Sequence, residues 1–378
     1  MRILHVVPTF ILGGGYLPAV LPLSRNFKAL GHSIEIVSGE DVKKRSIDGV
    51  RTFPLSIPTS WNRSPLLNDW LKSNISRFDI IHIHGLWDYP QFRAARYAKQ
   101  RNIPYIITPH GIFLDTNRYN SIKKKLYLYL IGNRIINSAQ AIHVTSNIEL
   151  EGCKLAGIGK PIVKIPWGID QSEFSIKQDY LNAEQLWPIF IGRRILLFMS
   201  RISPEKGLDQ LLLALSSIKN NHKNVLLVIA GEEDKKNRHK RVLENIIERQ
   251  KIEQYVFFTG LVKGAAKLAL LKRADISVMP SRGENFSFAV AEALACGVPV
   301  VTSTRTPWHE IHDVSAGRLA APEAGALRDA INELLSLRTE ELREMGMRGK
   351  TLIDQRYDWL NIAKEFIKIY SDICEKKR

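Results

Sequence analysis

Short β-branched runs alternate along this chain with longer amphipathic stretches, and that alternation restricts the fold more than any other feature. In the first half the runs are Ile3–Val7, Ser33–Val37, Ile80–His84, Tyr105–Thr108, Ala141–Val144 and Ile162–Ile165. Several are apolar almost without interruption, the pattern of a parallel strand covered on both faces. Helical spacing fills the gaps at about 16–30, 90–101, 121–138 and 147–156. Strand–helix alternation of this kind demands a parallel sheet with right-handed crossovers. The rhythm pauses over residues 166–192, which hold Pro166, Trp167, Gly168, Asp170, Asn182 and Pro188 without a period and read as a linker. It resumes with strands at Ile195–Met199, Val225–Ala230, Val256–Phe258, Ile276–Met279 and Val298–Val301. Helices are expected at 206–219, 240–251, 263–273, 287–295, 324–337 and 340–353. The fold class is α/β, with two doubly wound domains expected at 1–172 and 173–356. A last helix within 357–378, apolar at Ile362, Ala363, Phe366, Ile367 and Tyr370, is expected to pack back on the N-terminal domain.

The 378 residues are enough for two domains, each able to bury its own core. Three scattered cysteines, Cys153, Cys296 and Cys374, form no CxxC or Cys/His spacing, which disfavours a disulfide framework or structural zinc and suits a reducing cytosol. No secretory leader pattern opens the chain, and no apolar run approaches the roughly 18 residues of a membrane span. With 54 Lys and Arg against 38 Asp and Glu, the formal charge is +16. Residues 1–172 hold 22 basic and 11 acidic residues, net +11, and the remainder 32 and 27, net +5. A basic N-terminal half suits nucleic acid, an anionic bilayer or a phosphorylated substrate. No zinc-finger, RNP-type or basic-zipper signature supports nucleic acid. Such binding would be salt-sensitive and indifferent to sugar nucleotide.

Three segments carry chemistry. Gly13-Gly14-Gly15 follows the first strand and precedes a helix, where glycine lets a backbone approach an anion. It fits a phosphate or sugar loop, or a plain flexible turn. The spacing is not GxGxxG, and Val37-Ser38-Gly39 lacks the acidic residue of a nicotinamide site. Arg201 and Lys206 stand at the end of a strand with Lys206-Gly207 opening the next helix; two such cations suit a diphosphate, or else pair with Glu205. The most specific segment runs from Ser281 through Glu284-Asn285-Phe286-Ser287-Phe288 to Glu292 and on to Cys296-Gly297-Val298-Pro299. Carboxylates hold sugar and ribose diols well, and a loop entering a helix offers amide donors. A surface ion pair for Glu292, or a glycosidase-type carboxylate pair, is the competing reading.

In order along almost the whole chain, these segments resemble the retaining glycosyltransferases of family 4, of GT-B fold. That family carries a Glu, seven residues and a second Glu, as Glu284 and Glu292 do here. Arg201 with Lys206-Gly207 matches the family's phosphate-binding pair, Thr108-Pro109-His110-Gly111 and Ile142-His143-Val144-Thr145-Ser146 match segments of members that build bacterial surface polysaccharides, and the Gly13–Gly15 loop and the Tyr357-Asp358-Trp359 helix start also fit. The resemblance implies two Rossmann-like domains facing a central cleft, the first binding acceptor and the second the donor nucleotide sugar. It implies that Glu284 holds sugar hydroxyls, Glu292 holds the ribose, and Arg201 and Lys206 neutralise the diphosphate. The amides of Asn285, Phe286, Ser287 and Phe288 would line sugar and phosphate. His110 would reach the sugar from the N-terminal domain, and Gly14 and Gly15 would admit the diphosphate. Gly13, His84 and Trp87 are the acceptor-side candidates. Ser287 replaces a family glycine: it is strained if the backbone needs φ > 0, and an extra donor if it does not.

The implied reaction is hexosyl transfer with retention and no metal or cofactor, from a UDP- or GDP-linked sugar to a glycan hydroxyl. Cations would stabilise the departing diphosphate, whose oxygen takes the acceptor proton, and domain closure would exclude water. Glu232-Glu233-Asp234 reads as a solvated turn balanced by Lys235 and Lys236 rather than a metal site. His82 and His84 alternate on one strand face and read as packed or acceptor-facing, no third metal ligand being apparent. Ser121–Arg134, with Lys123–Lys125 beside apolar and aromatic bulk, reads as core packing with a basic patch able to touch anionic headgroups. The expected partners are thus a nucleotide sugar and a lipid-diphosphate-linked glycan, in the cytoplasm and peripherally on the inner membrane face. Rival readings are a GT-B enzyme with a soluble acceptor (sucrose-type synthase or sugar-nucleotide epimerase), indifferent to lipid, and a non-catalytic relative.

Overall fold

The computed structural model describes residues 1–9, 16–40, 49–57, 60–114, 122–175, 181–232 and 239–377. The chain divides into two compact units, Met1–Gly168 with Trp359–Arg378, and Ile169–Asp358. The changes of unit therefore fall at Gly168/Ile169 and Asp358/Trp359, not at 172/173 and 356/357. Residues 169–192 belong to the second unit rather than to a free linker; there Ala183 and Phe190 are buried.

The first unit is a seven-stranded sheet of β1 (Arg2–Thr9), β2 (Ser33–Glu40), β3 (Val50–Pro54), β4 (Ile80–His84), β5 (Tyr105–Thr108), β6 (Ala141–Val144) and β7 (Ile162–Lys164). Its order is β3-β2-β1-β4-β5-β6-β7, with every pairing parallel. The chain winds outward from β1 to β3, then restarts at β4 on the other side of β1. That reversal makes a switch point between β1 and β4, where open α/β sheets bind ligands beyond the strands' carboxyl ends. Strand alternation gives the sheet two unlike faces. Leu4, Val6, Ile81, Ile83, Ile107, Ile142 and Val144 enter one apolar core. The opposite face carries His5, His82, His84, Thr108 and His143, all buried.

Helices Leu17–Ala29 and Trp359–Glu375 pack together over that polar face. The returning helix presents Phe366 and Tyr370, both fully buried. The Phe366 ring lies 4.7 Å from His143, 6.0 Å from Trp167 and 6.3 Å from Phe27. Truncation there removes a large apolar body with no room for collapse. Phe366→Ala is expected to destabilise the first unit by about 3–5 kcal/mol, seen as a lower urea midpoint. A loss below about 1 kcal/mol would mean the helix is not held by this contact.

The second unit has β8 (Arg194–Met199), β9 (Val225–Ala230), β10 (Val256–Gly260), β11 (Ile276–Met279), β12 (Val300–Ser303) and β13 (Gly317–Ala320). Their order, β10-β9-β8-β11-β12-β13, is again parallel and again reverses, between β8 and β11. The strand expected at Val298–Val301 starts at Val300 instead. Pro299 lacks a donor, and the Val298 amide is spent on Ala293 at the helix exit. Strands β3 and β13 and helix Pro65–Asn74 are additional to the sequence reading.

Candidate functional site

The loops after β8 and β11 flank the second unit's switch point. After β8 comes a tight turn, Pro204–Lys206, then Gly207 in the left-handed region (φ 71°), and only then helix Leu208–Asn221. Lys206 thus sits in the turn rather than opening the helix. A Cβ on Gly207 would lie 2.2 Å from the Pro280 carbonyl oxygen, so only glycine lets the two loops come this close. The consequence is a contact across the crevice. Lys206 Nζ donates to Glu284 Oε1 at 2.6 Å, and Ser281 Oγ donates to the same oxygen at 2.7 Å. Both side chains of the ion pair are largely buried, at 14% and 12% exposure. Glu284 Oε2 has no partner among the described residues.

Helix Phe288–Ala295 begins beyond this loop, and Ser287 before it adopts φ 66°, ψ 76°. The position does require the left-handed backbone, so the serine is strained by roughly 1–3 kcal/mol. Such strain persists where surroundings enforce it: Phe286 is buried against Trp308 and Phe288, and Trp308 Nε1 donates to the Phe286 carbonyl. The amides of Phe286, Ser287 and Phe288 donate to nothing among the described residues. They are free donors at a helix N-terminus.

Glu292, one turn into that helix, accepts from Lys267 Nζ at 2.6 Å. The pair is not a surface one: Glu292 is 17% exposed, and burial raises its carboxyl above the usual range against the pull of Lys267. Arg201 lies open at 64% exposure, 3.7 Å from Glu205, the competing pairing that sequence reading left open. Lys267 and Ser281 have no role assigned from the sequence: Ser281 opens the specific segment without a stated task, Lys267 sits in no recognisable pattern, and only the packing of helix Gly264–Arg273 and the β11 loop brings their side chains to the glutamates.

In the first unit, His110 follows β5 with φ 55°, and Gly111 with φ 78°. The Gly111 amide donates to Glu149 Oε1 at 2.6 Å, and the Thr145 amide to Glu149 Oε2 at 3.0 Å. That buried carboxylate, its pKa raised by burial, ties the His110 loop to helix Asn147–Leu155. His110 is half-buried between Trp167, stacked at 5.5 Å, and the edge of Tyr16 at 4.6 Å. His84 does not face an acceptor. It is fully buried, with its ring nitrogens 2.9 Å from His5 Nδ1 and from His110 Nε2. The period-2 strand pattern put it on one face, but the two covering helices close that face. Trp87 is half-exposed beside Tyr127, with Lys124 over its ring at 5.8 Å. Gly13, Gly14 and Gly15, and Glu233 to Lys236, lie outside the described residues.

A third imidazole does stand beside His82 and His84: His5, the register partner of His82 on β1. Hydrogen bonds already use the nitrogens of His82 and His84. His143 Nε2–H must donate to the Ile165 carbonyl, so Thr108 Oγ1 donates to His143 Nδ1, and His82 Nε2–H to Thr108. Tyr370 then donates to His82 Nδ1 at 2.6 Å. A cation here would have to break several of these bonds.

Helix Ile122–Tyr127 and the π-turn Leu128–Gly132 split the apolar residues of the basic segment. Leu128 and Ile131 join the core, but Ile122 (82%), Leu126, Tyr129 (76%) and Leu130 are exposed beside Lys123–Lys125. Core packing therefore accounts for only part of this segment.

Residues 14–168 match the Glycosyl transferase 4-like domain and residues 183–352 the Glycosyl transferases group 1 family. An uncharacterised glycosyltransferase of Methanocaldococcus jannaschii is 25% identical over 91% of both chains. A phosphatidyl-myo-inositol mannosyltransferase of Mycobacterium leprae is 24% identical over 99% of this chain and 97% of its own. Among solved structures, Anabaena HepE with UDP and glucose superposes with a TM-score of 0.81 at 18% identity, covering 98% of this chain and all of that one. Two switch-point sheets, the paired glutamates after β11 and these matches over both units agree on one assignment: the chain belongs to the family 4 glycosyltransferases of GT-B fold.

Proposed function

We propose that this glycosyltransferase moves a hexosyl group, with retention and without a metal, from a nucleoside-diphosphate sugar to a hydroxyl of a lipid-linked glycan used for bacterial surface polysaccharide. The carrying observation is the Lys206–Glu284–Ser281 cluster with free helix amides beside it. Glu284 Oε2 is left to accept from sugar hydroxyls, and Lys206, which spends one donor on Oε1, has two more to offer a phosphate oxygen. Arg201, open on the same loop, supplies a second cation, and Glu292 is the ribose carboxylate. These fixed charges face the leaving diphosphate as its charge grows. The departing oxygen takes the acceptor proton on the face from which it leaves.

UDP, bound with glucose in the Anabaena structure, heads the probes. In a calorimetric titration with UDP, GDP and ADP, one nucleotide should bind equally with and without EDTA. A charge-assisted hydrogen bond contributes roughly 1.5–3 kcal/mol, so Arg201→Ala with Lys206→Ala should weaken that nucleotide about a hundredfold or more. Unchanged affinity would move the phosphate site elsewhere.

The lipid-linked acceptor draws support from the exposed Ile122, Leu126, Tyr129 and Leu130 beside three lysines, the composition of an interfacial anchor. The mannosyltransferase relative acts on a phosphatidylinositol lipid by its name. The protein should sediment with vesicles that carry anionic lipid, and Lys123→Glu with Lys125→Glu should abolish this; no recovery with anionic or neutral vesicles would favour a soluble acceptor.

A further inference from the structure

Three imidazoles form a second hydrogen-bonded chain in the first unit, separate from the one fixed by the Ile165 carbonyl. His110 Nε2 lies 2.9 Å from His84 Nδ1, and His84 Nε2 lies 2.9 Å from His5 Nδ1. His5 Nε2 closes the chain: it is buried and has no partner among the described residues. At the other end His110 is half-exposed, and its Nδ1 makes no hydrogen bond among the described residues.

A neutral imidazole has one N–H and one lone pair. Each nitrogen–nitrogen contact needs one proton, so the chain admits only two registers. In one, every ring carries its proton on Nδ1. His5 then donates to His84, His84 donates to His110, and His110 Nδ1–H is left at the solvent side. In the other, every proton sits on Nε2, which strands the His5 N–H in the interior and leaves a bare lone pair on His110 Nδ1. A buried donor without an acceptor is the rarer defect in folded proteins, and His5 Nε2 has no acceptor among the described residues. Burial keeps the rings neutral: His5 and His110 are pushed down to about 3, and His84 falls well below the usual histidine range.

We propose that His84 and His5 are positioning residues that hold His110 in its Nδ1–H tautomer, so that its open nitrogen donates a hydrogen bond and cannot serve as a base. Its functional meaning rests on the donor-sugar contact that the family resemblance implies for His110. There, His110 Nδ1–H would donate a hydrogen bond to the lone pair of a sugar hydroxyl oxygen, and the hydroxyl's own proton would remain available to a carboxylate. The tautomer itself does not depend on that contact.

The test is long-range proton–nitrogen NMR on protein labelled with 15N-histidine, because protonated and bare ring nitrogens resonate far apart. His110 is assigned by the signals lost in His110→Gln. The wild-type spectrum should show His110 as Nδ1–H. His84→Phe removes the donor to Nε2 and should shift His110 toward Nε2–H. In His84→Asn the amide can donate again and should restore Nδ1–H. Partners that orient metal-bound histidines are worth about 10–100-fold, and on that scale His84→Phe should lower turnover by roughly tenfold or more, with partial recovery in His84→Asn. A wild-type His110 carrying Nε2–H, or a tautomer unmoved by His84→Phe, overturns the proposal. The wild-type spectrum decides even if a variant fails to fold. Full turnover in His110→Gln with an Nδ1–H signal in wild type would remove the sugar contact and leave the tautomer assignment standing.

Discussion

Glu284→Ala is expected to lower turnover by about 10²–10³-fold, the usual effect of removing one preorganised polar contact to a transition state. The carboxylate is held on Oε1 by Lys206 and Ser281, so its second oxygen is fixed in place before any ligand arrives. In the proposed reaction, a preset acceptor would cost no reorganisation as the sugar flattens toward an oxocarbenium ion, and that is where its contribution would lie. The loss should therefore appear in kcat more than in nucleotide affinity. Truncation also strips Lys206 and Ser281 of a partner, which costs the fold roughly 1–3 kcal/mol. Glu284→Gln separates the two effects: its amide oxygen can still accept from Ser281 and Lys206, but it carries no charge. A Gln variant as stable as wild type and as slow as the Ala variant assigns the loss to charge. Wild-type turnover in the Ala variant removes Glu284 from the site; wild-type turnover in the Gln variant alone would assign the loss to the hydrogen bond rather than the charge.

The central strands were legible as short, wholly buried runs rich in β-branched residues, even where polar side chains line one face. Ile80–His84, Tyr105–Thr108 and Ile276–Met279 stand in the fold as the pattern placed them. Strand β3 was not, since Val50–Pro54 is a half-exposed edge with Arg51 and Thr52 breaking the run. Helix Pro65–Asn74 had a readable start: Ser64 accepts from the Leu67 amide, and proline follows at the first helical position. The paired glutamates were visible as a spacing, whereas their partners were not. Lys206 reaches Glu284 across 78 residues and Lys267 reaches Glu292 across 25, and such contacts depend on which strands are neighbours. The histidines show the same limit. His82 and His84 were seen as a pair, but His5 joins them only through the β1–β4 register, and His143 only through Thr108. Ser287 is a different case. The substitution for a family glycine was noticed, but its φ could be decided only by the backbone.

Acid should unfold the first unit well before ordinary acid denaturation sets in. Five of its histidines, His5, His82, His84, His110 and His143, are held neutral by burial. In the folded unit His5 and His110 titrate near 3 and His143 near 4, and the other two lie well below their ordinary value of 6.5. The unfolded chain takes up these protons near 6.5, so below that pH it binds more protons than the native state. Stability is then complete above pH 6.5 and falls as pH drops toward the folded values, by about 1.4 kcal/mol per histidine and pH unit. Five rings together would cost about 6 kcal/mol between pH 7 and pH 5.5, comparable to the whole stability of a typical domain at roughly 5–15 kcal/mol. The raised carboxyls of Glu149 and Asp88 act in the opposite sense, but they are two groups against five. Urea midpoints measured from pH 7.5 to pH 5.5 should fall steeply for the transition that reports the first unit. His143→Phe should flatten that slope by about one proton, because it removes one of the five sites. A midpoint independent of pH across this range would mean that the rings are charged in the folded state, and the neutral hydrogen-bond chains assigned to them would have to be redrawn.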